Sequence, residues 1–185
     1  MPDAITPVRL CLDLNIWVAD LLALHAGRTG TACQVLVDAV RRGASPLGPV
    51  QLVVSWGMLN RLETVLTRVL NVDRSLAQQY VTMIARYAAD GPSAHAPYIL
   101  LGSSGLLPLR DEEDGHVLDT ACAGKASILV TRNFRDFEGT GTPSSARVIT
   151  PGELAMHTTP DGHIVRIASP GQVVRWFKDG RVSSV

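Results

Sequence analysis

The residues able to do chemistry gather between Leu109 and Phe137, in LRDEEDGHVLDTACAGKASILVTRNFRDF. Asp111, Glu112, Glu113 and Asp114 crowd one place, and crowded carboxylates have two uses. At a helix N-terminus they complement the partial positive charge, and Asp111 with Asp114 resembles a capping box with Asp in place of Glu. Brought together with acids from elsewhere, they repel one another, raise one another's pKa and are stabilised by a hard cation that takes oxygen ligands, Mg²⁺ or Mn²⁺. The choice depends on whether other acids converge there. Candidates are Asp13, closing the run VRLCL, Glu63, set among leucines in NRLETVL, and Asp136, near Asn133 in TRNFRDF.

Each candidate has a structural alternative. Glu63 lies four residues after Leu59 and three before Leu66, on the apolar side of its helix, where a lone carboxylate is costly unless paired or bound to a cation. At the edge of that stripe it can reach solvent or an arginine instead. Thr131 can offer its hydroxyl to the site or cap the turn that follows. Arg132 and Arg135 can grip phosphates or be ordinary surface cations.

The elements that must position these groups follow from periodicity. Val8–Leu12, Leu52–Val54 and Ser127–Thr131 are short apolar runs, read as strands buried on both faces. A third strand in chain order falls at Tyr98–Leu101 or at Leu106–Leu109. Helices are expected over Leu14–Ala26, Thr31–Arg42, from a Ser55 cap through Leu70, from Asp73 or Ser75 to Ala89, and from the acidic run to Gly124 as its C-cap. In the last of these Val117, Leu118, Ala121 and Cys122 form the inward stripe and Asp119 faces solvent. Arg147–Ile149 is a fifth strand, followed by a helix start with Thr150 as cap and Pro151 in its first turn. Strands alternating with helices predict a parallel sheet with helices on both faces. The carboxyl edge of such a sheet is where ligands bind, and Asp13, Glu63, Asp114, Asn133 and Asp136, which follow strands or lie in the helices that succeed them, are all expected to project toward it.

Composition narrows the function classes. The chain has 185 residues, formal net charge zero and 46% apolar residues, enough for one substantial core. Without a basic excess, any nucleic-acid contact must be local. No apolar run reaches membrane-spanning length and Met1-Pro2-Asp3-Ala4 lacks the features of a signal peptide, so a cytoplasmic protein is expected. Cys11, Cys33 and Cys122 are scattered within apolar runs and read as buried small hydrophobes, and the five histidines show no ligand spacing.

On these residues the chain resembles the PIN-domain ribonucleases, close to the VapC-like toxins of type II toxin–antitoxin systems, over roughly Val8 to Leu154. Asp13 and Asn15 in DLNIWVADLL match the family's Asp-x-Asn after strand one, Glu63 its helix glutamate, Asp114 in DGHVLDTA its third acid, and VTRNFRDF its strand-four ending. Asn133 stands where the family often has Asp, so the fourth acid is absent, supplied by Asp136, or replaced by the Asn133 side-chain oxygen.

The resemblance implies a PIN-like three-layer α/β/α sandwich with a mostly parallel sheet. It also implies metal-dependent cleavage of RNA phosphodiesters, with Asp13, Glu63 and Asp114 catalytic and holding Mg²⁺ or Mn²⁺. Asn15, Asp111, Thr131, Asn133 and Asp136 would support them, and Arg132 and Arg135 would bind RNA. Expected partners are the RNA, a cognate antitoxin and a second copy of the chain, with no membrane.

Residues 1–157 are read as the nuclease domain and 158–185 as a C-terminal extension. Within it His163–Ile167 and Val173–Phe177 are strand-like, suggesting a short β-hairpin or arm, and the adjoining Trp176 and Phe177 suggest an exposed surface for an antitoxin or second copy. Two other functions compete. One is a non-catalytic PIN-fold module that binds RNA or protein. The other is a haloacid-dehalogenase-like phosphatase, which Asn15 disfavours because it cannot serve as the general acid of an Asp-x-Asp pair.

Overall fold

The structure is a computed structural model that describes residues 6–91, 99–100, 112–134 and 147–183, with backbone alone at 99–100 and 112–116. Asp111, Arg135 and Asp136 lie outside the described residues, as does Leu106–Leu109, and Asp114 is placed by its backbone only.

Strand β1 (Val8–Leu12) is central because its apolar residues can be buried on both sides. It pairs in parallel with β3 (Gly48–Ser55), Cys11 opposite Val53, and with β5 (Ile128–Val130), Leu12 opposite Val130. β4 (Ile99–Leu100) lies parallel along the end of β3, and β8 (Ile164–Ala168) parallel along β5. The parallel order is therefore β4-β3-β1-β5-β8. Antiparallel β2 (Ala44–Ser45) meets the start of β3, while β7 (Leu154–Thr158) and β6 (Arg147–Thr150) extend the sheet beyond β8. Helix α1 (Leu14–His25) packs on α2 (Ala32–Arg42), and α2 on α6 (Pro170–Asp179). A second group joins α3 (Trp56–Thr64), α4 (Arg74–Ala89) and α5 (Glu112–Ala123), with a π-helical turn at Val65–Val69 continuing α3. This is the expected α/β architecture, mostly parallel and mixed at its margins. No helix among the described residues is long and apolar enough to cross a membrane.

Caps fix several boundaries where the residues indicate them. Thr31 and Gln34 form a capping box at α2, Ser55 accepts from Met58 N–H at α3, and Asp73, rather than Ser75, caps α4. The third strand is the Ile99–Leu100 choice.

Three local expectations fail, each for a physical reason. Pro151 does not open a helix: Gly152 takes φ 69° and turns the chain back, so β7 follows as the partner of β6. Val173–Phe177 is helical, not a strand, because Ser169 caps the Gln172 N–H, Pro170 fits the first turn, and Val173, Trp176 and Phe177 fall on one helical face. Trp176 and Phe177 are consequently buried, at 0% and 6% exposure, and form no exposed surface. Asp119 does not face solvent: residues 117–121 are all buried because α5 is enclosed by the sheet on one side and α3 on the other.

α5 ends at Ala123, so Gly124 directly follows it as expected, and the left-handed turn comes one residue later, at Lys125 (φ 51°). Gly124 serves a close approach, since a Cβ there would sit 2.3 Å from Val53 Cγ1.

The boundary drawn at residue 157 falls inside β7. Because β8 hydrogen-bonds to β5, the C-terminal residues belong to the same sheet as β1.

Candidate active site

β1, β3 and β5 end together. The register of Cys11 with Val53 and Leu12 with Val130 brings Asp13, Ser55 and Thr131 to the same carboxyl edge, and the Asp13 N–H still donates to Val130 O at 3.0 Å. Strand pleating puts Asp13 on the same face as Arg9 and Cys11, the face covered by α5. There Arg9 Nη1 donates to Gly124 O at 3.5 Å, and Cys11 Sγ lies 3.9 Å from Val117 O. α5 thus runs antiparallel to β1. Its first turn, which contains position 114, stands at the edge where Asp13 emerges.

Asp13 is 7% exposed, so its carboxylate needs partners. Asn15 Nδ2 donates to Asp13 Oδ2 at 2.5 Å, and Thr131 Oγ1 donates to the same oxygen at 2.7 Å. Asn15 Nδ2 also lies 3.3 Å from Thr131 Oγ1, and Asn15 Oδ1 accepts from the Arg132 N–H at 3.2 Å. Thr131 Oγ1 accepts in turn from the Asn133 N–H at 2.9 Å. The structure therefore joins Asp13, Asn15 and Thr131, and ties the backbones of Arg132 and Asn133 to them. Both readings of Thr131 hold at once: it caps the turn and orients the acid. A buried charge with two fixed donors is pre-organised, because its orientation does not depend on solvent.

The surroundings respond to that charge. Burial, and then the charge of Asp13, holds the Cys11 thiol well above its ordinary pKa, so it is an inert neighbour. Burial also raises the Cys33 thiol, an effect opposed by the Arg132 guanidinium, which places that exposed cation near the start of α2. Beside Ser55 lies a polar pair that sequence reasoning did not find: Thr120 Oγ1 donates to Ser55 Oγ at 3.0 Å, both residues buried. Asp119, also buried on α5, adds to the burial that pushes the Cys122 thiol up to about 11. The sequence carries no local signal for either, because the face of α5 opposite its apolar stripe reads as solvent-facing until α3 is in place.

Among the described residues no hydrogen bond joins Glu63 to this group: Ser55 caps α3 at the edge, and Glu63 lies in the last turn of that helix. Its Oε1 accepts from Gln78 Nε2 of α4 at 3.1 Å. Gln78 fills the role expected of an arginine, pairing the acid at the edge of the stripe.

The donor set suits a hard cation: carboxylate, amide and hydroxyl oxygens, with no competing thiolate or imidazole. Asp13 would supply a direct oxygen ligand and the α5 turn carrying Asp114 stands next to it. Among the described residues no group of three or more His, Cys, Asp or Glu forms a metal site by itself.

A family model for the PIN domain matches residues 9–135, well over half the chain. Neither the curated proteins nor the solved structures give a match. PIN domains are in general metal-dependent nuclease folds that bind RNA and use divalent ions such as Mg²⁺. The parallel sheet, the Asp13–Asn15–Thr131 group at its carboxyl edge and the family match agree, and the chain belongs to the PIN domain family.

Proposed function

We propose that this chain is a metal-dependent endoribonuclease that hydrolyses RNA phosphodiester bonds at the carboxyl edge of its sheet. The observation that carries the reading is the buried Asp13 carboxylate, held by Asn15 and Thr131 beside the first turn of α5. Asp13 and Asp114 would hold Mg²⁺ or Mn²⁺, with Glu63 as the third acid of the family pattern and Asp111, Asn133 and Asp136 in support. When bound, the cation would supply a water of lowered pKa and stabilise charge on the leaving oxygen. Asn15 fixes the Asp13 carboxylate and, through the Arg132 N–H, the turn after β5. Arg132 and Arg135 would grip phosphates.

The reading extends to the toxin of a toxin–antitoxin pair, with a cognate antitoxin and a second copy of the chain as partners. A second reading, a PIN-fold module that binds RNA without cutting it, draws on two observations: Asn133 in the acid position, and the bond that holds Glu63 to Gln78.

One experiment separates the two. Purified protein is incubated with a mixed RNA pool in Mn²⁺, Mg²⁺ or EDTA, beside Asp13→Asn. Cutting that needs metal and disappears in the variant is the expected result. Folded, inhibitor-free protein that binds RNA but cuts with neither metal leaves the binding module.

A further inference from the structure

The chain has three tryptophans, and two of them build the core: Trp17 and Trp176 are 2% and 0% exposed, whereas Trp56 is 42% exposed. Trp56 is the first residue of α3, where it provides neither a cap nor a charge that would favour the helix start; Ser55 already supplies the cap. Its place is set by the sheet. The register that puts Ser55 level with Asp13 on adjacent strands, about 4.8 Å apart, leaves the Trp56 backbone within roughly 9 Å of the Asp13 backbone.

The exposed side of that helix start continues with Gly57, Asn60 and Arg61. Gly57 leaves open space, since a Cβ there would meet only Ser55 Oγ, at 3.8 Å. On the other flank, after β5, the backbone N–H of the exposed Arg132 donates to Asn15 Oδ1. In strand order the edge therefore carries Trp56, then the buried Asp13, then Arg132.

We propose that Trp56 is a stacking platform for one nucleobase of a single-stranded RNA laid across this edge, with Asp13 between the stacked base and the Arg132 side. An indole face accepts any base, and an aromatic beside cations is the usual construction of a single-strand track. A neutral protein that must bind RNA locally also gains most from a contact that is not purely ionic. The proposal rests on the RNA reading above.

The test reads binding, not turnover. A short, labelled, mixed-sequence single-stranded RNA is titrated in EDTA, and again in Mg²⁺ on the Asp13→Asn background. Anisotropy reports affinity, and tryptophan emission reports the indoles. Saturable quenching is expected in protein with all three tryptophans and absent in Trp56→Phe, because Trp17 and Trp176 are buried. Trp56→Ala should bind about 5- to 150-fold more weakly, the range for losing one stacked base, while Trp56→Phe keeps most of the affinity. Both variants should unfold at nearly the parent temperature, since the ring is exposed.

RNA bound by anisotropy with unquenched emission, or with unchanged affinity in Trp56→Ala, overturns the stacking role and leaves the nuclease reading intact. No RNA binding under either condition overturns both. Emission that changes on diluting the protein without RNA assigns Trp56 to an interface between copies and also overturns the proposal.

Discussion

Residues 9–135, matched by the family, and residues 147–183, which follow them in the same sheet, treat buried polar groups differently. At the edge around Asp13 a buried carboxylate has its donors, and each donor has a second partner. In the C-terminal part, His157 Nδ1 and Trp176 Nε1 are buried with no hydrogen-bond partner among the described residues. Among the described residues of the matched part, Gln51 Oε1 is buried without a partner, beside Gly91 and away from the edge. A carboxylate kept charged and aimed has to be built, whereas an indole N–H is carried inside with the large apolar body that packing requires. One region carries the Asp13 group; the other closes the sheet along β5 and covers α2 with α6.

The contrast can be broken by substitution. Trp176→Ala should cost about 3–5 kcal/mol of folding stability by urea unfolding, the range for deleting a buried tryptophan. A loss below ~1 kcal/mol would mean that α6 is a detachable arm after all. Asp13→Asn should lower RNA cleavage about 10²- to 10³-fold, as when a pre-organised electrostatic group is removed, with its unfolding midpoint nearly unchanged. Unfolding of that variant would make the acid structural.

His157 supplies a pH test. Burial lowers its pKa from the ordinary 6.5, so the unfolded chain takes up a proton more readily than the folded one. Stability from neutral His157 is present above that ordinary value and is lost as pH falls through the depressed folded-state value. In unfolding measurements between neutral and mildly acidic pH, His157→Leu should show a shallower decline than the parent. Parallel curves would show that the ring is not held neutral.

The smallest effect is expected at the seam of α3 and α4. Glu63→Gln keeps a group for Gln78 and should change stability by no more than about 0.5 kcal/mol, as for most surface substitutions. Cleavage should nonetheless fall, because Glu63 is the third acid of the proposed site. Cleavage within about threefold of the parent would confine Glu63 to the seam and remove it from the metal.

Much of this was written locally. Apolar runs gave β1, β3 and β5, and hydroxyl and acidic caps gave the starts of α3 and α4. The order of Asp13, Asn15, Glu63, Asp114 and the residues after β5 carried the family. Ser169-Pro170 and the spacing of Val173, Trp176 and Phe177 carried α6 as well, although the adjoining β-branched and aromatic residues suggested a strand. What no local pattern could supply was company. Asp13 and Glu63 look alike in sequence, each an acid against an apolar run. Only pairing with Thr131, 118 residues away, gives Asp13 its fixed donors, while Gln78, 15 residues on, takes Glu63 into the α3–α4 seam. Asp119 and Trp176 likewise became interior only when α3 and α2 were packed against them. Periodicity and capping act within a turn or a strand, so the sequence determines elements and the residues they carry. Burial and convergence depend on which distant surfaces meet, and those the tertiary structure decided.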